Sequence, residues 1–192
     1  MWPDEVNMTK KTWYIIAPFI LAALIFVDQI TKYLARRDLA DESFDVIKGV
    51  FSLSLVSNKG AAWGMLQGRV DILSIVSILL VIALAYFFFK VPEGKKYHII
   101  RVLCISVVAG AIGNLIDRIG FGYVTDFLYF KLIDFPVFNV ADCYITVAMF
   151  LFIILMIFYY KDEDLEFLSF TKKKTDETTG SDDSDNNDKS ID

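Results

Sequence analysis

Histidine and cysteine are scarce in this 192-residue sequence, which has one histidine and two cysteines. There is no Gly-x-Ser-x-Gly elbow and no His-Glu-x-x-His motif, so no serine-hydrolase or zinc-protease signature is present. The single His98 is predicted below to lie across the membrane from the polar motifs, which excludes a Ser/His or Cys/His pair among them. Cys104 and Cys143 fall within apolar runs, and we interpret them as small apolar side chains rather than a disulfide.

Charge is also absent from long stretches of the chain. Residues 72–89 and 143–160 are two runs of 18 residues without a charged side chain, close to the roughly 20 that cross a bilayer. Two shorter runs, 13–27 and 102–116, reach that length by including the polar residues that follow them. With 55% hydrophobic residues, the chain is predicted to be a membrane protein with four helices. These helices are expected near residues 13–34, 71–90, 99–118 and 141–160.

Acidic charge is concentrated at one end of the chain. Residues 162–192 carry 11 acidic side chains and 4 lysines, a net charge of −7, whereas the whole chain has a net charge of −5. From Thr175 onward there is no apolar face to bury, so we predict that residues 161–192 form a disordered acidic cytoplasmic tail. Residues 1–12 are predicted to be a cytoplasmic leader and residues 13–160 the membrane domain.

Basic residues indicate how the helices are oriented. With four helices, both ends of the chain share one side of the membrane, and that side carries basic segments near residues 10–11, 90–101 and 172–174. The other side has nearly as many basic residues, but its long first loop, about residues 36–69, is discounted by the positive-inside rule. We therefore predict cytoplasmic termini, which gathers the polar motifs at the extracytoplasmic face.

The first loop shows the alternation of a β-strand. Apolar residues alternate with serines over residues 51–55, and Phe44–Ile47 is a plausible partner across a tight turn. Asn58 follows, and its amide could donate to and accept from an extended peptide. Residues 61–66 are expected to form a short helix with Trp63 at headgroup level. The predicted fold is therefore mainly α, with four transmembrane helices, a small β-sheet and a short interfacial helix on the extracytoplasmic side.

Small and polar residues form one stripe on the predicted third helix. They are Gly110, Gly113, Asn114, Asp117 and Arg118, at offsets of 0, 3, 4, 7 and 8. A seam for helix packing would explain the glycines but not the charged residues, each of which costs roughly 2.5–3.5 kcal/mol at membrane depth. Such residues usually face a protein interior or a wet cavity, so the stripe indicates a functional site.

Two further pairs allow a structural or a functional interpretation. Asp28 and Lys32 are spaced for an i,i+4 ion pair, which we interpret as a pair at the lipid headgroups; the alternative is that Asp28 organises the site. Asn139 is a good N-cap for the fourth helix, and Asp142 stands where a capping-box acid would. The alternative is that Asp142 is part of the site.

Asp126 and Asp142 could meet at the membrane surface, since one precedes the fourth helix and the other lies in its first turn. Two carboxylates close together in a partly dry site cannot both ionise cheaply, so such a pair shares one proton. The ionised partner can deprotonate a water while the other protonates a peptide group, which is the pattern of aspartic proteases.

Five short motifs follow one another along the predicted helices and loops. They are Val27-Asp28-Gln29-x-Thr31-Lys32, Asn58-x-Gly60-Ala61-Ala62-Trp63-Gly64, Gly110-Ala111-x-Gly113-Asn114-x-x-Asp117-Arg118, Val124-Thr125-Asp126-Phe127 and Phe138-Asn139-Val140-Ala141-Asp142. Each is weak alone, but all five in this order are specific. From about Trp13 to Tyr160 the chain resembles bacterial lipoprotein signal peptidase, the signal peptidase II family.

The resemblance implies an intramembrane aspartic protease of the bacterial inner membrane. It would remove the signal peptide of a prolipoprotein by cutting before a cysteine that carries diacylglycerol. The implied catalytic dyad is Asp126 and Asp142. Implied to bind the substrate are Asn58, Gly60, Gly110, Asn114, Arg118 and Asn139, the last also supporting the dyad. Implied to order the site are Asp28, Lys32 and Asp117.

The resemblance further implies contact with membrane lipid and inhibition by globomycin-type compounds. It implies no metal, cofactor or nucleic-acid partner, and we expect a monomer. Trp63 stands where the family often has Phe, which would alter the mouth of the groove. The competing hypothesis is a small proton-coupled transporter, whose sites would lie near the midplane within internal repeats; no repeat is found. A membrane scaffold would not need Asp117, Arg118 and Asp142.

Overall fold

The computed structural model of the protein describes residues 8–60 and 65–168. Its long helices are α1 (Lys10–Asp38), α2 (Val70–Lys90), α3 (His98–Phe121) and α4 (Val140–Phe158). All four are long and apolar enough to cross a membrane, which confirms the four predicted helices. α1 is longer than residues 13–34 because the polar side chains of its last turns find partners inside the protein, so the helix continues past the apolar run.

α3 is the central helix of the bundle and packs against the other three. α2 and α4 are apolar around their circumference, and their outer faces expose large side chains such as Leu79 and Phe150, as expected of helices that face lipid. The buried side of α3 includes four residues of the predicted stripe, namely Gly110, Gly113, Asn114 and Asp117. The stripe therefore points into the protein.

Two glycines of α3 permit close approach of neighbouring helices. A Cβ added to Gly110 would lie 2.5 Å from the carbonyl oxygen of Ala141 in α4, and one added to Gly113 would collide with the carboxylate of Asp28 in α1. Both contacts are too short for any side chain. The glycines therefore set the distance from α3 to the first turn of α4 and to the acidic part of α1.

The sheet has three antiparallel strands in the order β1-β2-β3. Strands β1 (Phe44–Ile47) and β2 (Phe51–Asn58) form the predicted hairpin. Strand β3 (Val124–Tyr129) pairs with the other side of β2, with Val56 opposite Asp126. No strand was predicted for this segment, so β3 is an addition to the predicted sheet. A bulge in β2 lies just before Val56, next to the pair that contains Asp126.

The structure bears on two predictions, one in the first loop and one at the C-terminal end of the membrane domain. Residues 61–64 of the expected interfacial helix lie outside the described residues, and residues 65–68 form a turn. The prediction of disorder from residue 161 is wrong for Asp162–Leu168, which form a 3-10 helix. It is ordered because Leu165 and Phe167 pack against the apolar cluster around Tyr160, and because Asp164 pairs with Lys96. Residues 1–7 and 169–192 lie outside the described residues.

Both ends of the described chain lie at one end of the bundle. The Trp13 ring is 5.5 Å from the His98 ring at the start of α3, and the Tyr160 hydroxyl donates to the carbonyl of Lys96. Asp117 is 19 residues further along α3 than His98, which corresponds to about 28 Å. His98 is therefore remote from the polar stripe, as predicted.

Candidate active site

A groove of about 910 Å³ opens between α2 and α4, over α3 and against β2. Its polar lining includes Asn58, Ser77, Asn114, Arg118, Asp126 and Asp142. The remaining lining is largely apolar, with Leu80 and Ile145 on its two helical walls. α2 contributes to the groove as well as to the lipid-facing surface, because Ser77 and Leu80 form one of its walls.

Asp126 and Asp142 reach the groove from different elements and are joined by one residue. Asp126 is held by β3, and Asp142 lies in the first turn of α4. The Asn139 side-chain amide donates to Asp126 Oδ1 at 2.6 Å, and the Asn139 backbone N–H donates to Asp142 Oδ2 at 3.1 Å. The two carboxylates predicted to meet are thus bonded to a common neighbour.

Asn139 and Asp142 also form a capping box at the start of α4. Asn139 Oδ1 accepts from the Asp142 backbone N–H at 3.0 Å, which completes the reciprocal pair. The structural interpretation of this motif is therefore confirmed. It does not compete with the functional one, because the same bonds fix the Asp142 carboxylate at the groove, where a helix N-terminus stabilises negative charge.

Two further asparagines hold the outer oxygens of the carboxylates. Asn58 donates to Asp126 Oδ2 at 2.8 Å, and its own oxygen accepts from the backbone N–H of Gly60. Asn114 donates to Asp142 Oδ1 at 2.8 Å. The oxygen of Asn114 accepts from Lys32 Nζ at 2.9 Å and from Asn139 at 3.1 Å. Both asparagines, expected to meet a substrate backbone, have side-chain amides that are bonded to the dyad.

Behind the dyad lies a buried ion pair. Asp28 and Lys32 are 2.9 Å apart and both fully buried, with 0% exposure. The interpretation as a headgroup ion pair is therefore wrong: α3 covers the pair, and Gly113 leaves room for the carboxylate. Asp28 also accepts from the backbone N–H of Ala141 at 2.9 Å. It therefore ties α1 to the turn of α4 that carries Asp142.

Asp117 ties α3 to the strand that carries Asp126, as Asp28 ties α1 to the start of α4. Its carboxylate accepts from the backbone N–H of Thr125 at 2.8 Å and lies 3.8 Å from Lys32 Nζ. Arg36, near the end of α1, donates to the Thr125 hydroxyl at 2.6 Å and stacks over the Phe121 ring at 4.5 Å. Thr125, immediately before Asp126, is thus held from two helices.

The remaining predicted site residues fall into two groups. Arg118 and Gly60 line the groove, and the Arg118 guanidinium lies 3.5 Å from the Ser77 hydroxyl. Gly110, expected to bind substrate, is instead closed against Ala141 and Ile145 of α4. Gly110 has no side chain and therefore permits this close packing of α3 against α4. That is the alternative interpretation of the stripe, in which its glycines form a seam for helix packing.

Burial controls the electrostatics of Asp126, whose side chain is 2% exposed. Loss of hydration raises the pKa of this carboxyl, and the nearby charge of Asp142 raises it further, to about 7. Hydrogen bonds from Asn58 and Asn139 and the charge of Lys32 act in the opposite direction. With a pKa near neutrality, the Asp126 carboxyl can either hold or release a proton at neutral pH, which is the property that general acid–base catalysis requires.

Three residues without a role predicted from the sequence stabilise this arrangement. Two of them, Arg36 and Thr125, are hydrogen-bonded to each other. Gln29 donates to Asp28 Oδ2 at 3.1 Å and to the carbonyl of Gly113 at 3.0 Å. Gln29 and Thr125 stand within the quoted motifs, so their position was a signal. The only sequence signal for Arg36 was its spacing, because it follows Lys32 by four residues and so lies on the same helix face.

This chain is similar to known proteins over most of its length. Residues 20–158 match the sequence profile of the family described as Signal peptidase (SPase) II. A lipoprotein signal peptidase of Caldanaerobacter subterraneus subsp. tengcongensis is 44% identical over 145 residues, which cover 74% of this chain and 97% of that protein. One of Staphylococcus aureus is 40% identical over 156 residues, covering 78% and 93%.

Solved structures show the same fold. A bacterial membrane enzyme structure determined by the in meso method at 2.3 Å resolution has a TM-score of 0.66 and 32% identity, covering 83% of this chain and 94% of that one. A second, at 1.9 Å resolution, has a TM-score of 0.66 and 35% identity, covering 76% and 94%. The helices and sheet described above thus match those of solved membrane enzymes.

Proposed function

This chain belongs to the signal peptidase II family, and we propose that it is an aspartic endopeptidase that removes the signal peptide from diacylglyceryl-modified prolipoproteins. The cut falls before the lipidated cysteine. The observation that carries the proposal is the joint attachment of Asp126 and Asp142 to Asn139 at the floor of a groove that opens between two lipid-facing helices. A signal peptide is an apolar helix and its lipidated cysteine needs lipid access, so both suit such a groove.

In the proposed mechanism the dyad starts with one proton, carried by Asp126. Asp142 is stabilised as the anion by Asn114, the Asn139 N–H and the start of α4. Asp142 accepts a proton from a water whose oxygen attacks the scissile carbonyl carbon, while Asp126 donates its proton to the carbonyl oxygen. Asp142 then passes its proton to the leaving amine, the C–N bond breaks, and Asp126 recovers a proton from the collapsing diol. Acid–base catalysis of this kind is worth roughly 10²–10⁴-fold.

The other site residues divide between substrate and support. Arg118 faces the groove beside the dyad and donates to carbonyl oxygens of the extended cleavage segment. Asn58, Gly60 and Asn114 reach that segment through the polar atoms their internal bonds leave unused. Support comes from the buried residues Asp28, Lys32, Asp117 and Asn139, which hold β3 and the start of α4 in place.

The same proposal covers location and organisation. We place the protein in the bacterial inner membrane as a monomer, with cytoplasmic termini and the groove near the extracytoplasmic face. Residues 1–12 form the leader, 13–160 the peptidase domain and 161–192 the acidic tail. Globomycin-type inhibitors would occupy the groove. The loop basicity around residues 90–101 supports this orientation.

The test is cleavage of one precursor in two forms by the purified protein in detergent. The prolipoprotein is supplied with and without diacylglycerol on its cysteine, and the products are identified by mass spectrometry. We expect cleavage of the lipidated form alone, with the modified cysteine as the new N-terminus. Equal cleavage of both forms would overturn the lipid requirement, and cleavage at another bond would overturn the proposed specificity.

A further inference from the structure

Strand β2 is paired along only part of one of its edges. On the side away from β3, β1 pairs with β2 only as far as Leu53, whereas β2 continues to Asn58. Within the described part of the chain, no segment outside the sheet donates a backbone hydrogen bond to residues 54–58 or accepts one from them. An unpaired strand edge presents N–H and C=O groups to which another extended chain can bond. We call residues 54–58 the free edge of β2.

The backbone groups of Ser57 point outward from this free edge. Ser57 lies directly opposite Thr125 of β3, but the Thr125 N–H donates to the carboxylate of Asp117 at 2.8 Å instead of to β2. In an antiparallel pair, directly opposite residues either exchange both of their backbone hydrogen bonds or exchange neither. Ser57 and Thr125 are therefore a non-hydrogen-bonded pair, and the N–H and C=O of Ser57 face away from β3.

The free edge adjoins the candidate active site. Val56, Ser57 and Asn58 line the groove, and Ser57 is exposed. The side chain of Asn58 donates to Asp126 Oδ2 at 2.8 Å, so the residue that follows Ser57 contacts the dyad. A chain paired with the free edge would lie two strand spacings from β3, about 10 Å. An extended chain covers that distance in about three residues, so the paired residue lies near the bond that is cut but not at it.

The position of the sheet decides which part of a substrate reaches it. β1 and β2 follow α1, and β3 follows α3, so the sheet lies beyond one end of the helices that are long and apolar enough to cross a membrane. In the proposed function, the signal peptide occupies the groove between α2 and α4, and the chain that follows the lipidated cysteine leaves the membrane. The residues after that cysteine are therefore the ones at the level of the sheet.

We propose that the first residues after the lipidated cysteine add to the free edge as an extra β-strand, in which one residue exchanges backbone hydrogen bonds with Ser57. This inference rests on the proposed function. Strand addition gives affinity through the main chain, and every residue except proline offers the same N–H and C=O. The free edge therefore holds substrates with different residues after the cysteine alike, except those with proline at the paired position.

The test replaces single amides of the substrate with esters, which lack the N–H. Each lipidated precursor carries one ester at a successive position after the cysteine, and kcat/KM is measured with the purified full-length protein. We expect a loss of about 2–10-fold, the value of one hydrogen bond, at one position within about three residues of the cut, and little loss on either side of it. Equal values at all positions would overturn the strand pairing and leave the proposed function intact. Failure to cleave the all-amide precursor would overturn both.

Ser57→Pro removes the N–H on the enzyme's side of the pairing. Proline is tolerated in a strand where the missing N–H would face away from the ladder, so this variant should unfold near the parent's temperature. Val56→Pro is the matched control and should be strongly destabilised, because Val56 lies in the neighbouring pair, which bonds to Asp126.

Ser57→Pro should lower kcat/KM for the all-amide precursor by about 2–10-fold. It should also abolish the extra loss caused by the ester at the paired position, because the two chains no longer meet there. Ser57→Ala retains the N–H and should retain that extra loss. An undiminished ester effect in a folded Ser57→Pro variant would overturn the proposal. Unfolding of Ser57→Pro to the extent of Val56→Pro would place the Ser57 N–H in the ladder and overturn it as well.

Discussion

Replacing Gly110 with alanine tests whether helix packing positions the dyad. The added Cβ would lie 2.5 Å from the carbonyl oxygen of Ala141 and 2.7 Å from a side-chain carbon of Ile145, whereas ordinary contact begins near 3.4 Å. The Ile145 side chain can rotate, but the Ala141 backbone cannot. The first turn of α4 must therefore retreat by roughly 0.9 Å, the difference between these distances. That turn carries Asp142.

We expect the Gly110→Ala variant to lose about 1–3 kcal/mol of stability through overpacking. Because displacement of a reacting group by about 1 Å can cost roughly 10²-fold in rate, kcat should fall much more than thermal stability suggests. The assay is cleavage of the lipidated precursor, alongside thermal unfolding in the same detergent.

Gly120→Ala is the matched control. This glycine is also in α3, but a Cβ there would meet nothing within 4 Å, so the substitution should stabilise the protein by about 0.4–1 kcal/mol and leave cleavage unchanged. If Gly110→Ala cleaves and unfolds like Gly120→Ala, close contact between α3 and α4 does not position Asp142, and the reasoning is refuted.

Three more predictions concern the polar network. Because the pKa of Asp126 is raised to about 7, kcat/KM should fall as pH rises through that value. The stability contributed by the protonated carboxyl is fully present below pH ~3.9, the pKa of an unperturbed aspartate, and is lost as the pH rises through about 7. A flat profile of kcat/KM from pH 5 to 9 would contradict the assignment. Lys32→Met leaves Asp28 buried without its ion-pair partner and should cost about 3–5 kcal/mol of stability. Adding Asp28→Asn to this variant should recover the stability but not the cleavage. Recovery of both would exclude a role for the pair in the reaction. Thr125→Val removes the acceptor of Arg36 and should lower kcat several-fold with KM unchanged, whereas an equal rise in KM would place Arg36 at the substrate.

The helices and the hairpin could be predicted because their signals are local. Uncharged runs of membrane length and a strict alternation over residues 51–55 need no knowledge of the rest of the chain. β3 could not be predicted with equal ease. It is six residues long and has Thr125 and Asp126 near its centre, and its pairing partner is far away in sequence. Its apolar and aromatic residues Val124, Phe127 and Tyr129 were the signal available.

The site shows the same division between local and distant information. Spacing alone revealed the Asp28–Lys32 pair, but its burial depends on α3 and on the space left by Gly113. Spacing also placed Gly110 on the polar stripe, but α4 covers the side of α3 on which Gly110 lies. The identity of the polar residues was thus readable from the sequence. Which of them touch the groove and which support it was decided by tertiary contacts.

The most direct test of the central claim is single-turnover cleavage of the lipidated precursor by Asp126→Asn, Asp142→Asn and Asp134→Asn. Asp134 is an exposed aspartate with φ of 48°, a conformation that asparagine tolerates, so it controls for the chemical change. The dyad predicts a loss of roughly 10²-fold or more in each of the first two variants, with unfolding temperatures close to the parent's, and parental cleavage by the third. Near-parental cleavage by a folded Asp126→Asn or Asp142→Asn variant would remove that residue from the chemistry and contradict the account.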